Sequence, residues 1–573
     1  MTLLLGPVLR HVDETSALVW VQTSGPCRVS VLGCDAATFE VSGHHFALVR
    51  VTGLAPGTRT AYEVHLDGEQ VWPLPHSPFP PSLIATRGAG TEAHQRIVFG
   101  SCRYVKLADP KLARQYGLDA LDVYAGRMAG LPPETWPTTL LLLGDQVYAD
   151  ELTPQTRRRI AGRRERHPDW PDDEIVGFDE YSGLYRDTWS DPEVRWMLST
   201  VPTAMIFDDH DVRDDWNTSG AWREQIARTP WWSERIRSGL ASYWVHQHLG
   251  NLSPAELAAD RTWQEVQAAE GDVWPLLSER AALWDRETGD GDDTHKDERF
   301  SFCWELGRTR LIVIDSRNGR IVESTPRRMV SDAEFDWISA KALAPGDMDH
   351  LVLGTSVPWL MPQVISDLEA ATEKGANGSG RVAAVAEWAR QEADLEHWPA
   401  FGHSFARLAD LIREACRPRA GDAPPATVSV LSGDVHHSYA AVVDVHTHTP
   451  GDRPGRGPEG TRVHQLTCSP VHNVVPAVMR VMFRITWSRL LGRMTTRWTR
   501  RTGTGSAGVA WERTTGPLFG NLVATLETDG RRASCRFERP RSAAVLDTAA
   551  EVVLTPQAPP MAARQRRGTT PAV

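Results

Sequence analysis

The feature that most constrains this chain is a set of short apolar runs, each stopping at a loop loaded with ionisable side chains. Leu141-Leu142-Leu143 runs directly into Gly144-Asp145-Gln146-Val147-Tyr148-Ala149-Asp150. A buried parallel strand delivers the residues after it to the C-terminal edge of its sheet, where open α/β sheets bind ligands, so Asp145 is expected to point into a site. Tyr148 follows three residues later. If the chain turns after Gly144, carboxylate and phenol reach one point as hard oxygen donors suited to a strongly Lewis-acidic metal. A lone apolar run ending in Gly-Asp also closes many strands that bind nothing, and Asp and His often only cap strands or begin turns. Three further segments repeat the pattern: Ile97-Val98-Phe99-Gly100-Ser101-Cys102-Arg103, Ala204-Met205-Ile206-Phe207-Asp208-Asp209-His210-Asp211, and Val428 through Leu431 into Ser432-Gly433-Asp434-Val435-His436-His437-Ser438-Tyr439. Four such endings converging on one sheet edge imply a metal site.

The motifs Gly-Ser-Cys-Arg at 100–103, Gly-Asp-Gln-Val-Tyr-Ala-Asp-Glu at 144–151, Asp-Asp-His-Asp at 208–211, Asp-Ser-Arg-Asn-Gly-Arg at 315–320 and Leu-Ser-Gly-Asp-Val-His-His-Ser-Tyr at 431–439 resemble, in order, those of the PhoD-like (alkaline phosphatase D) branch of the metallophosphatases. The pairing of Asp145 with Tyr148 is also similar to the purple acid phosphatases, with Cys102 standing where those enzymes carry an Asp. Thr355-Ser356 stands near where they would show a ligating His, a departure that follows the PhoD-like pattern and shifts the second metal toward oxygen ligands. The resemblance implies an α/β (α+β) fold, a metallophosphatase-type two-sheet sandwich flanked by helices. It implies that Cys102, Asp145, Tyr148 and His436 hold a first ion, ferric iron, with Asp145 bridging to a second held by Asp209 and Asp434. Carboxylates at the second position favour calcium, with Mg, Mn or Zn as alternatives, and Asp208, Asp211 and Asp215 as alternative ligands. His210 would contact the phosphate or the leaving oxygen as the catalytic residue; Arg103 and His437 are candidates for substrate contact, although His437, next to a ligand, is expected to face away. The implied activity is metal-dependent phosphoester hydrolysis, phosphomonoesterase or phosphodiesterase, through a water activated between two ions about 3.5–4 Å apart. The alternative is a regulatory or binding protein that keeps the fold without turnover.

At 573 residues the chain exceeds one ordinary core. Residues 1–75 alternate in the strand period at Ser16–Val21, Arg28–Leu32, Phe46–Val51 and Ala61–Leu66. With Gly53-Leu54-Ala55-Pro56-Gly57-Thr58 followed by Tyr62 they resemble a fibronectin type III-like sandwich with a tyrosine corner. Residues 76–95, rich in Pro, Gly, Ser and Thr, read as a linker to a catalytic domain at 96–475, with helical insertions at about 152–200 and 216–299. The tryptophans of the second insertion read as core. Residues 369–423 read as mostly helical around a Gly-rich loop at 375–381; Glu396-His397-Trp398 are candidates to lie near the cleft, against the expected reading of His397 and His403 as surface residues. Residues 476–545 carry a basic amphipathic helix and closing strands, and 546–573 are expected to be a disordered tail.

Within that helix, 477–501 spaces seven arginines among Met, Phe, Ile, Trp and Leu. Such a helix can lie on anionic lipid, giving weak peripheral membrane contact, but more often packs its apolar face on the domain, the outcome expected here. A net charge of −11 argues against a nucleic-acid partner, leaving a phosphate ester as the expected one; oligomeric state is left open. The seven Cys are scattered without paired spacing, and the N-terminal stretch lacks a basic n-region or twin arginines, so a cytoplasmic location is expected.

Overall fold

The computed structural model describes residues 1–88, 94–376, 395–418, 423–445, 460–502 and 508–555. Most of the Gly-rich loop expected at 375–381, part of the linker and the tail from 556 lie outside them. Three of the strands that end in the motifs, Thr139–Leu143, Thr203–Ile206 and Thr427–Ser432, are buried along their whole length, as strands covered on both faces must be. Thr139–Leu143 pairs in parallel with His94–Gly100 on one side and Thr203–Ile206 on the other. Three antiparallel strands from the end of the chain, Val523–Asp529, Arg532–Ser542 and Val545–Val553, complete this sheet to six. The part of the expected tail at 546–553 is therefore an edge strand, held by the pairing of Leu546 with Pro540 and of Val552 with Cys535.

A second sheet of seven strands has a parallel centre, Thr309–Ile314, His350–Thr355, Thr427–Ser432 and Arg462–Thr467. The two sheets pack face to face. Leu141, Leu143, Leu311, Val313, Val352, Leu431 and Leu466 lie in one core, and a Cβ on Gly354 would meet Leu143 at 3.3 Å. The far face of the second sheet is covered by helices Asp332–Ala342 and Gly402–Ala415, whose Phe335, Ile338, Phe405, Leu408 and Ile412 fill a second core.

The N-terminal residues form two four-stranded antiparallel sheets around a core of Leu9, Val19, Val21, Val29, Val49, Val64, Leu66 and Trp72. Ser16–Thr23 is buried at every position, which a free-standing sandwich strand would not be. Its other face, with Leu18 and Trp20, packs against the insertion helices, where Trp20 meets Trp189 edge-on at 6.1 Å and His246 at 5.4 Å. Trp244 and Trp284 are buried in this same core. Tyr62 does not close a corner in its own domain; its hydroxyl donates to the carbonyl of Ser199 in the first helical insertion. The expected linker is shortened by Leu83–Ala85, which pairs with Arg59–Ala61.

Candidate metal centre

The motif strands stop at one edge, and hydrogen bonds between their loops lock them together. The Cys102 amide donates to the Gly144 carbonyl (3.3 Å) and the Arg103 amide to that of Asp145 (3.2 Å). The Gly433 amide donates to Ser356 O (2.9 Å) and the Asp434 amide to Ser101 Oγ (3.0 Å). Cys102, Asp145, Asp434 and His436 all have φ between +49° and +66°. Non-glycine residues in this region cost about 1–3 kcal/mol each and persist only where the surroundings dictate them. Gly144, at φ +106°, is a glycine because a Cβ would sit 2.6 Å from that of Asp208. Gly433 is as tightly held, a Cβ there meeting Ser101 Cβ at 2.3 Å and Leu143 O at 2.8 Å. Gly433→Ala is therefore expected to push the Cys102 loop off its seat and lower kcat on the order of 10²-fold, since displacements near 1 Å cost that much in a positioned site. A steady-state assay checks it, and near-wild-type kcat would mean that the loop is not part of the machinery.

Asp145 is 1% exposed, and neither carboxylate oxygen has a hydrogen-bond partner among the described residues. Burying an unpaired carboxylate is costly enough that such groups are normally paired, neutralised or bound to a metal. Ligand oxygens of Asp145, Asp208 and Asp209, all buried, lie within 4.8 Å of one another, and Asp208 Oδ2 is also without a partner. Burial raises the Asp145 carboxyl well above the usual range; His210 opposes this, while Asp208, Asp209 and Asp211 add to it. Burial, then Asp145 and Asp434, likewise pushes the Cys102 thiol up, and burial, then Cys102 and Asp145, the Tyr148 phenol. A cluster that resists negative charge without a cation, and offers thiol, phenol, carboxylates and imidazole, fits a metal pair.

The surroundings orient these donors. Asn473 Nδ2 donates to the Tyr148 oxygen at 2.9 Å, and Asn473 Oδ1 accepts from the Val474 amide, which fixes which way the amide points. Tyr148 O is thus an acceptor from the protein, as suits a phenolate ligand. Ser469 Oγ donates to Cys102 Sγ at 3.2 Å. His210 Nδ1 sits 3.0 Å from both oxygens of Asp150, leaving Nε2 as the other ring nitrogen, 3.9 Å from Asp214. Despite burial, Asp150 and Asp209 hold the His210 imidazolium well above its ordinary range.

Among the alternatives for the second ion, Asp211 accepts the amides of Val147 and Asp208 and braces the loops, while the Asp215 amide donates to Asp209 Oδ2 at 3.3 Å. The structure brings Asp208 into the cluster beside Asp209. Asp434 approaches from the other sheet, with its Oδ2 3.2 Å from His397 Nε2. His436 follows it, its imidazole pushed down to about 4 by burial, with Asp434 opposing and His210 adding.

Two expected substrate contacts are elsewhere. Arg103 is 3% exposed, its Nε on Asp119 (2.8 Å) and a terminal nitrogen on the Thr188 carbonyl (2.7 Å). His437 turns away from the cluster, Nδ1 to the Val435 carbonyl and Nε2 accepting from Trp487 Nε1 at 3.2 Å.

Sequence reasoning misplaced or missed several groups. His397, expected at the surface, is 6% exposed between Glu369 (2.6 Å) and Asp434. Burial disfavours its charge, but those two carboxylates hold the imidazolium up to about 10. His403 is half-exposed, 3.4 Å from Asp332. Fully buried Arg317 grips Asp208 through Nε and both oxygens of Glu396 at 2.5 Å through its two terminal nitrogens, one of which, Nη2, is also 3.3 Å from Asp209. Arg320 adds a bond to Glu396 at 3.0 Å. The Asp-Ser-Arg-Asn-Gly-Arg motif signalled both arginines, and Glu396 was signalled only as part of Glu396-His397-Trp398 near the cleft, with no role attached.

Comparisons with known proteins bear on this arrangement. A family model described as PhoD-like phosphatase matches residues 127–477, and one described as a domain of unknown function matches residues 1–84. No curated protein matches. The solved structure titled "Structure of PhoD" superposes with a TM-score of 0.56 over 97% of this chain and 90% of its own, at 11% identity, a likeness of fold. An amylomaltase from Corynebacterium glutamicum aligns at 10% identity over 86% and 89% of the two chains with a TM-score of 0.14, which carries no structural meaning.

Proposed function

The chain belongs to the PhoD-like phosphatase family of phosphoester hydrolases, and on that premise we propose that it cleaves phosphate mono- or diesters at the strand-end cluster with the help of two metal ions. The observation that carries this reading is Asp145, buried with both oxygens unpartnered, which suits a carboxylate shared between two cations. Cys102, Tyr148 and His436 would hold the first ion, ferric iron, and Asp209 with Asp434 the second, calcium, with Asp208 beside them as a further oxygen donor. Such a pair supplies Lewis acidity to the phosphoryl group and lowers the pKa of water to the neutral range.

The chain's own residues do the rest. Asp150 fixes the ring of His210 through Nδ1 and so frees Nε2 to hold a proton for the departing alkoxide. Arg317 holds the carboxylates of Asp208 and Glu396 in place, so that the Asp208–Asp209 pair keeps its orientation as charge changes at the site. His397 bridges Glu369 and Asp434, steadying Asp434 from behind.

The test is hydrolysis of para-nitrophenyl phosphate and bis-para-nitrophenyl phosphate with iron and calcium supplied. Turnover of either supports the reading and their ratio ranks monoester against diester; none on both would favour a non-turnover binding role. For the ferric assignment, the iron-loaded protein is expected to show a visible phenolate charge-transfer band that Tyr148→Phe removes while the fold is kept. Active, colourless, iron-free protein would contradict it and leave a divalent pair.

A further inference from the structure

The segment expected to bury its apolar face does the reverse. It forms two helices, Ala477–Thr486 and Arg489–Thr502, broken at Trp487-Ser488. Val478, Val481, Met482 and Ile485 follow one another at helical spacing and are 53–71% exposed; Leu490, Leu491 and Met494 of the second helix are 37–67% exposed. These seven are half of the fourteen large exposed apolar side chains among the described residues, so they form a patch rather than scatter.

The face turned inward holds aromatic and small side chains rather than these aliphatic ones. Phe483 lies over His437 at 4.2 Å and Trp487 over Tyr439 at 4.9 Å. The second helix seats its small and hydroxylated side: Gly492 lies against Gln363, and Thr495 and Thr496 donate to Asp367 at 2.7 and 3.1 Å. The second helix, which packs through Gly and Thr while presenting Leu and Met outward, and the first, which packs through Phe483 while presenting Val, Met and Ile, share an unmet aliphatic face.

Charge says what meets it. Residues 477–502 contain seven arginines and no acidic residue, in a chain of net charge −11. The Arg480, Arg484, Arg493 and Arg497 side chains are exposed around the apolar residues. Arg493 and Arg497, with Ser488, Thr496 and Arg513, also line a cavity of about 520 Å³ that opens beside the second helix, with Glu512 its one acid among the described residues. No helix among the described residues is long and apolar enough to cross a membrane, but exposed apolar residues interspersed with exposed arginines suit insertion to headgroup depth.

We propose that this helix pair docks the protein onto an anionic lipid bilayer, its apolar residues in the acyl boundary and its arginines, with the cavity beside them, on the phosphate groups of the lipids. Asn473, which holds Tyr148, lies just before the first helix, so docking would bring the rim of the strand-end cluster to the membrane surface. The inference stands on the helix faces and does not depend on the catalytic reading.

Vesicle sedimentation of the full chain tests it, with phosphatidylcholine vesicles with and without phosphatidylglycerol. The expected result is binding to the anionic vesicles alone, weakening as salt rises. Met482→Glu with Ile485→Glu should lower the partition coefficient on the order of 10²-fold, and Arg493→Gln with Arg497→Gln roughly 25-fold, about fivefold per arginine. Both variants should keep the wild-type circular-dichroism spectrum and melting temperature, which shows that they are folded. No binding to anionic vesicles, equal binding to neutral ones, or unchanged binding by the glutamate variant would overturn the proposal.

Discussion

Asp145→Asn is expected to lower hydrolysis on the order of 10³-fold or more while making the metal-free protein more stable. The two effects share one cause. Asp145 is buried with nothing donating to either oxygen, so its charge is a cost to the empty fold and an asset only when a cation shares it. Its folded-state pKa is raised, chiefly by burial, so in the metal-free protein stability falls as pH climbs above the unfolded value of about 4. Asn is neutral and removes that loss. Chelator-treated protein at neutral pH should therefore melt higher as the variant than as wild type, and added metal should raise only the wild type strongly. A residue with a merely structural role would lose stability in both states. Near-wild-type turnover by the variant would refute the site.

Arg317→Met should have the largest effect on stability, a loss of about 3–5 kcal/mol, because one partner of a buried ion pair is removed and the others stay charged. Here they are Asp208 and Glu396, all three groups being buried. Arg320 keeps Glu396 partly satisfied, whereas the Asp208 oxygen that Arg317 held keeps the Ser356 hydroxyl at 3.0 Å. Lys is not expected to substitute, since one ammonium cannot reproduce the paired bonds to Glu396 and the Nε bond to Asp208. Adding Glu396→Gln to Arg317→Met should recover part of the loss by removing one stranded charge. Denaturant unfolding of the single and double variants checks this, and a loss below about 1 kcal/mol in the single variant would mean that the charges rearrange or are hydrated.

What the sequence disclosed follows from what local pattern can carry. Strands buried on both faces write themselves as Leu141-Leu142-Leu143 or Val428 to Leu431, and the residue after such a run must lie at the sheet edge. That logic reaches Cys102, Asp145, Asp434 and His436 without any tertiary information. It cannot separate Asp208 from Asp209, because both follow the strand and what distinguishes their surroundings is Arg317, whose Nε bonds Asp208 from over a hundred positions away. His397 was misjudged for the same reason: its burial depends on Glu369 and Asp434, each on a different element. Tyr62 carried the spacing of a corner, yet its hydroxyl serves a contact between domains that no local motif encodes. Residues 546–553 lacked a strong strand signal and become a strand because Arg532–Ser542 offers them an edge. The amphipathic segment shows the limit most clearly. Period and moment are legible in the order of residues, but whether the apolar side faces the domain or the outside depends on what the domain offers, and Asp367 here offers hydrogen bonds to the threonine side.

The central claim, that the buried carboxylate cluster is a metal-dependent phosphoesterase site, is tested most directly by hydrolysis of the two para-nitrophenyl esters before chelation, after it, and after metals are restored. The account predicts that activity disappears with the metal and returns with it in wild type, and that it returns in neither case for Asp145→Asn. Full activity of the stripped wild-type protein would contradict it.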